Sequence, residues 1–181
     1  LLHLGPGLGN GIANLHNAKK AHTPIVNIVG DHATYHIEHD APLTSDIEGI
    51  AAPVSDWVRT SKTSKDVAED GAQAVASARM GAGRIATLIL PANTAWNIAE
   101  GVANPVKIPN RSNASDDVIR NIAAALKSDG ETLIHMTGRV LRQDTLEMLG
   151  KIQAKTGCRL SCVTANGRWQ RGAGRVTIER I

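Results

Sequence analysis

The 181 residues are 42% hydrophobic and 20% charged, with a mean hydropathy of −0.15 and a net charge of +3. This is the composition of a globular chain, too apolar for disorder, and no apolar run approaches the ~20 residues of a membrane span. The N-terminal apolar residues are few and lack a basic leading region, so no signal peptide is read there, and a cytoplasmic protein without a membrane partner is expected.

Strand and helix patterns alternate along the chain, which predicts an α/β fold with a largely parallel sheet. Residues 1–4 read as a strand entered in mid-run, so the first fold unit is expected to begin upstream of residue 1. A glycine turn follows, then a helix over 8–21 with Ile12, Leu15 and Ala18 at helical spacing. The apolar run 23–30 predicts a buried strand whose first polar residue is Asn27. Residues 31–44 read as loop, and Ser45 or Asp46 can cap a short helix that Pro53 closes. A strand over 57–60, a helix over 64–80 opened by Ser64 and Asp66, and a strand over 84–90 come next.

Residues 92–113 show little hydrophobic periodicity and read as an interdomain linker. A second α/β unit follows. Ser115 caps a helix through Leu126, with strands over 131–136 and 159–163 around a helix over 141–156. Cys158 and Cys162 lie four apart with no second pair, so they read as reduced, inert thiols and no zinc is expected. The basic excess is C-terminal: residues 1–130 carry 11 basic and 13 acidic side chains, residues 131–181 nine and four. Arg168, Arg171, Arg175 and Arg180 could grip a phosphate or a neighbouring domain, or form a solvated, loosely ordered end. Aromatics make up only 2% of the chain, too few for base stacking, so nucleic acid is not an expected partner.

Two segments concentrate chemistry. Gly5, Gly7, Gly9 and Gly11 follow a strand and precede a helix, with Asp31 about 20 residues further on, as in a dinucleotide site. The G-x-G-x-x-G spacing fails in every register, because Asn10, Ile12 or Asn14 takes the third glycine position. A ligand-free glycine turn therefore stays open beside a polar ligand site. The second segment holds Asp31, His32, His36, His39 and Asp40 between Gly30 and Pro42. Such a loop can bind metal, face an active site or simply be exposed; a helix, which Gly30 and Pro42 oppose, would be needed to align His32 and His36. His16, His22 and His135 read as structural.

Together GPGLGN (5–10), TPIVNIVGD (23–31) and ATLILPAN (86–93), with DAPLTSDIE (40–48), resemble in order the thiamine-diphosphate-dependent enzymes, and most nearly the branch called acetolactate synthase large subunit-like. The resemblance implies a three-layer αβα pyrimidine-binding (PYR) domain over 1–107, incomplete at its start, and the start of a Rossmann-like central domain over 108–181. It implies an enzyme acting on small 2-keto acids by decarboxylation and carboligation, a transferase or lyase of the kind found in branched-chain amino acid biosynthesis. The cofactors it implies are thiamine diphosphate, Mg²⁺ held by a domain outside these residues, and FAD as an option. In that family the site lies between subunits of a homodimer or homotetramer, and a PYR-domain glutamate contacts the cofactor's pyrimidine ring. That glutamate is expected upstream of Leu1, so these residues alone are expected to be inactive.

By the same resemblance His3, Pro6, Gly7 and Asn10 are the cofactor-binding candidates, His3 standing where relatives carry Thr in T-S-G-P-G. The family's A-F-Q-E after the aspartate is here Ala41, Pro42, Leu43 and Thr44, which loses an aromatic and a glutamine and counts against acetolactate formation. His32 and His36 are the catalytic candidates in that loop. In the central domain the glycine-rich strand end is reduced to Thr137, Gly138 and Arg139, so the flavin is left open. A catalytically silent relative, kept for binding or assembly, is the alternative.

Overall fold

The computed structural model describes residues 1–110 and 112–181. The chain divides into two compact units, Leu1–Pro109 and Asn110–Ile181.

The first unit is built on a four-stranded parallel sheet of order β1-β2-β4-β3, with β1 Leu2–His3, β2 Ile25–Asp31, β3 Trp57–Thr60 and β4 Ile85–Pro91. Helix α1 (Leu4–Lys20) links β1 to β2, α2 (Ile47–Ala51) precedes β3, and α3 (Val67–Arg79) links β3 to β4. Central β4 is buried on both faces, hence its unbroken apolar run. Its side chains alternate between two cores. Ile85 and Ile89 join Val29 beneath Leu8 and Leu15 of α1 and Ile47 and Ala51 of α2. Ala86 and Leu88 pack with Ala74 and Ala78 of α3 on the other face. Helices therefore cover both sides of the sheet, the expected parallel-sheet α/β fold.

Polar residues inside this unit are paired. Asn27 Nδ2 donates to Thr87 Oγ1 at 3.1 Å, and Ser55 Oγ lies 2.7 Å from the same hydroxyl. Asp70, buried on α3, accepts from Arg59 at 2.7 Å and from Ser61 at 2.8 Å.

Three expectations are corrected. The glycines read as a turn are the first turns of α1, which begins at Leu4 instead of residue 8. Pro6 is tolerated there because a helix's first N–H groups have no internal acceptor. Gly5 is required by packing: a Cβ would stand 2.4 Å from Ser45 Cβ. The segment read as linker also begins with a short helix, α4 (Ala92–Trp96). Asp46 caps α2, accepting from Gly49 N–H at 2.8 Å. Ser64 and Asp66 do not cap α3; Ser64 donates to Ile98 O, and Asp66 accepts from Thr63 N–H and O–H.

In the second unit a parallel sheet of order β5-β6-β7 joins Leu133–Met136, Arg159–Cys162 and Glu179–Arg180. Helix α5 (Asp116–Leu126) is capped by Ser115, and α6 (Gln143–Thr156) ends at Gly157, whose φ of 71° suits a residue without Cβ. Met136, Leu146, Leu149 and Leu160 form the core with Cys158 and Cys162, both free and buried. His135 Nδ1 lies 2.9 Å from Ser161 Oγ, a structural contact, whereas His16 and His22 are exposed. Three of the four C-terminal arginines have partners, Arg175 lying 3.8 Å from Glu147. Arg171 and Arg180 stand over Trp169 at 5.6 and 5.0 Å, and Arg159 on β6 grips Glu179 of β7 through two hydrogen bonds of 2.9 and 2.5 Å. No helix among the described residues is long and apolar enough to cross a membrane.

Two substitutions separate the roles of the α1 glycines. Gly9 has open space around a Cβ, so Gly9→Ala should raise stability by about 0.5–1 kcal/mol, whereas Gly5→Ala should cost about 1–3 kcal/mol as Ser45 is pushed away. Urea midpoints of the two variants check both signs; equal shifts would refute the packing role of Gly5.

Glu179 sets a pH window for the C-terminal strand. The hydrogen bond from Arg159 holds its carboxyl below the ordinary 4.5, desolvation opposing and Arg159's charge adding. A carboxyl lowered on folding contributes stability above 4.5 that is lost as pH falls through the folded value. Trp169 emission should report β7 loosening in that acid range, and Glu179→Gln should remove that part of the titration.

Candidate functional site

Parallel strands end together, and their carboxyl ends are where an open α/β sheet admits a ligand. In the first unit His3 on β1 pairs with Gly30 on β2, and Asp31 on β2 pairs with Pro91 on β4, so three strands end in one row. Beyond that row lies a cavity of about 400 Å³. His3, Asp31, His32 and His36 supply its polar wall, and Leu4, Leu43, Tyr35 and Trp96 supply apolar surface.

Each wall residue is held by a local cause. His3 is the last residue of β1 and precedes α1, and Leu4 turns the chain between them with a φ of 55°. That left-handed conformation is costly for a residue with Cβ and marks a tightly determined position. Asp31 Oδ1 accepts from His32 N–H at 2.7 Å, fixing the exit of the loop from β2. The loop is tied again where Thr34 N–H donates to Asn93 Oδ1 of α4 at 2.9 Å. A 3₁₀ turn at Ile37–His39 then ends on Asp40, which also adopts positive φ.

The histidines form a tilted series. The His32 and His36 rings lie 5.2 Å apart, and His36 and His39 lie 5.5 Å apart. His36 and His39 are exposed, while His32 is half-buried with its Nε2 sealed from solvent and without a hydrogen-bond partner. A buried ring nitrogen without a partner is uncommon and sets this histidine apart from the other two. Among the described residues no group of three or more His, Cys, Asp or Glu could hold a metal ion.

The structure thus brings His3, His32 and His36 together on one cavity. Pro6, Gly7 and Asn10 lie on the first turns of α1 and do not line it; Pro6 and Asn10 are exposed and Gly7 is half-buried. Trp96, Tyr35 and Asn93 escaped the sequence reading. Trp96 and Asn93 lie some 60 residues from the histidine loop in sequence, and only the β2–β4 pairing brings them beside it.

A second hollow, of about 450 Å³, lies by Arg59, Thr60, Lys62 and Asp70. Its polar groups are largely committed to one another: Arg59 and Ser61 to Asp70, and Thr60 to Glu48 at 2.6 Å. It is a charged surface seam, and the strand-end cavity is the better site.

Comparison with known proteins bears out the family resemblance. Residues 1–50 match the family described as "Thiamine pyrophosphate enzyme, N-terminal TPP binding domain". The whole chain is 43% identical to a Mycobacterium tuberculosis protein named "Putative acetolactate synthase large subunit IlvX", spanning 35% of its length. In fold it matches a thiamine diphosphate-dependent 4-hydroxybenzoylformate decarboxylase of Rhodococcus jostii RHA1 with a TM-score of 0.77 at 20% identity, over 92% of this chain and 32% of that one. Benzoylformate decarboxylase of Polynucleobacter necessarius matches with a TM-score of 0.72 at 19% identity, over 89% and 30% respectively.

The tie between Thr34 and Asn93 is open to a direct test. Asn93→Leu removes the acceptor and should speed hydrogen exchange of the Thr34 amide by about fivefold or more, while Asn93→Asp, which keeps an oxygen there, should not. Equal protection in the two variants would show that something else holds the loop.

Proposed function

We propose that this chain, which carries the sequence and fold of the thiamine-diphosphate-dependent enzymes, is part of an acetolactate synthase-like enzyme that decarboxylates small 2-keto acids, with or without carboligation. The observation that supports it most is the strand-end cavity, where three imidazoles meet and His32 Nε2 is left unpaired.

The residues present fit one wall of a cofactor site. A hollow with imidazoles on one side and Leu4 and Leu43 on another suits a flat, partly polar heterocycle. His3 would contact it directly, with Pro6, Gly7 and Asn10 shaping the approach from α1. Bound, thiamine diphosphate supplies the electron sink for loss of carbon dioxide. His32 and His36 are then placed to orient the substrate carboxylate and to hold the proton that the reaction takes up, R–CO–COO⁻ + H⁺ → R–CHO + CO₂. Asp31 is the one carboxylate on the cavity, and it is engaged by His32 N–H. No glutamate lines this wall, so these 181 residues alone should not turn over substrate.

The rest of the site is assigned elsewhere in the polypeptide or in a second subunit of a homodimer or homotetramer, including the Mg²⁺ that would hold the diphosphate. The flavin stays an option for the second unit, at the cost of moving one side chain. At the end of β5 Asn166 Oδ1 already accepts from Gly138 N–H and Thr137 O–H, both at 3.3 Å, so the amide a close phosphate would use is engaged. The reading carries with it a cytoplasmic enzyme of a transferase or lyase type with a place in branched-chain amino acid biosynthesis; the tuberculosis relative's name supports the acetolactate synthase-like part alone.

The decisive assay uses the full-length polypeptide with 2-keto acids, with and without thiamine diphosphate and Mg²⁺. Turnover should require both, and His32→Ala or His36→Ala should lower kcat by about 10²-fold. Absence of cofactor-dependent turnover would leave a silent relative kept for binding or assembly.

A further inference from the structure

Asparagine followed by glycine is the pair at which a polypeptide most readily attacks itself, because glycine leaves its own nitrogen unhindered and its backbone free to turn. The chain has two such pairs, Asn10 with Gly11 and Asn166 with Gly167. The fold treats them oppositely. Asn10 and Gly11 lie inside α1, where the helical ladder engages the Gly11 N–H and fixes the backbone between the two residues. Asn166 and Gly167 lie beyond β6 in neither helix nor strand, and among the described residues the Gly167 N–H has no hydrogen-bond partner.

The Asn166 carboxamide is gripped at both of its atoms. Its Oδ1 accepts from Gly138 N–H and from Thr137 O–H, both at 3.3 Å, and its Nδ2 donates to Val163 O. Thr137 follows β5 and Gly138 opens the 3₁₀ turn after it, so both donors come from the end of another strand. Two donors on one carbonyl oxygen draw electrons from its carbon, and they are aimed at the atom that turns negative when a nucleophile adds. Such bonds shorten and strengthen as charge builds on the oxygen. The contacts that hold Asn166 therefore prepare its Cγ for attack, and the nitrogen one residue on is unengaged.

We propose that Asn166 is a self-modification site, at which the Gly167 nitrogen closes an imide ring on Cγ with Thr137 and Gly138 stabilising the oxyanion. The bond between Gly167 N and Asn166 Cγ forms with the nitrogen's electron pair. The bond between Cγ and Nδ2 then breaks, and ammonia leaves carrying the proton that Gly167 gives up. Water opens the ring. Its addition at Cγ yields aspartate, and its addition at the main-chain carbonyl yields isoaspartate, with one more carbon in the main chain. Either product has lost Nδ2 and gained a negative charge, so Val163 O is left without its donor.

The test incubates the full-length polypeptide at mildly alkaline pH and follows the peptides carrying Asn10 and Asn166 by mass spectrometry, with isoaspartate scored separately. Asn166 should convert about tenfold faster than Asn10 or more. Gly167→Ala should slow it by about tenfold, and the fold admits that change, since a Cβ there meets open space and the φ is not left-handed. Thr137→Val removes one donor from an exposed position and should slow conversion by about threefold or more. An unchanged or faster rate in Thr137→Val would show that these bonds only restrain the carboxamide, and would overturn the inference. Conversion at Asn166 no faster than at Asn10 would overturn it as well.

Discussion

Pairing of β2 with β4 is the constraint on which the first unit depends. Seven consecutive residues match in parallel register, from Ile25 with Ile85 to Asp31 with Pro91. Because side chains alternate across a strand, this one register assigns Ile85 and Ile89 to the α1 side and Ala86 and Leu88 to the α3 side. A slip of one residue would exchange the two cores and set Asn27 and Thr87 against α3's alanines, without Ser55 to complete their hydrogen bonds. The same register brings Asp31 and Pro91 to the rim together, and so sets the histidine loop beside α4. Core and site are two consequences of one pairing.

Most of the fold was legible because its elements announce themselves by long apolar runs or helical spacing. The strand over 57–60 was read to the residue, and those around Val29, Leu88 and Leu160 to within two or three positions of their ends. What was missed has local causes. The start of α1 was hidden because glycine and proline read as turn residues, although Pro6 occupies a place where a helix needs no N–H donor. Strand β7 is two residues long and α4 five, too short for any periodicity; β7 exists through its bonds to β6 and the Arg159–Glu179 pair, which no local pattern reveals.

The candidate site divides in the same way. His32 and His36 stand out as a concentration of imidazoles in one short loop, and His3 through its place at a strand end. Trp96 and Asn93 could not be found by reading along the chain, since they come beside Tyr35 and Thr34 only in the folded sheet. A general signal was nonetheless present: in a chain this poor in aromatics, a tryptophan just after a buried strand and a tyrosine within a polar loop are unusual residues to leave uncovered.

Two hollows of similar size flank the same sheet, and what separates them is commitment. Around Asp70 the polar atoms satisfy one another, with Arg59 and Ser61 on one carboxylate and Glu48 on Thr60. A ligand entering there would have to break those bonds before making its own. At the strand ends the balance is reversed: His32 Nε2 has no partner, the Asp31 carboxylate is spent on orienting the loop, and two aromatic faces remain open. The backbone bears strain at that same point, with Leu4 held at positive φ between His3 and the first turn of α1. Uncompensated polar and apolar groups beside a strained turn are costly to the folded chain alone. The strand-end cavity is thus the place in this unit where polar and apolar groups stay free to take a partner.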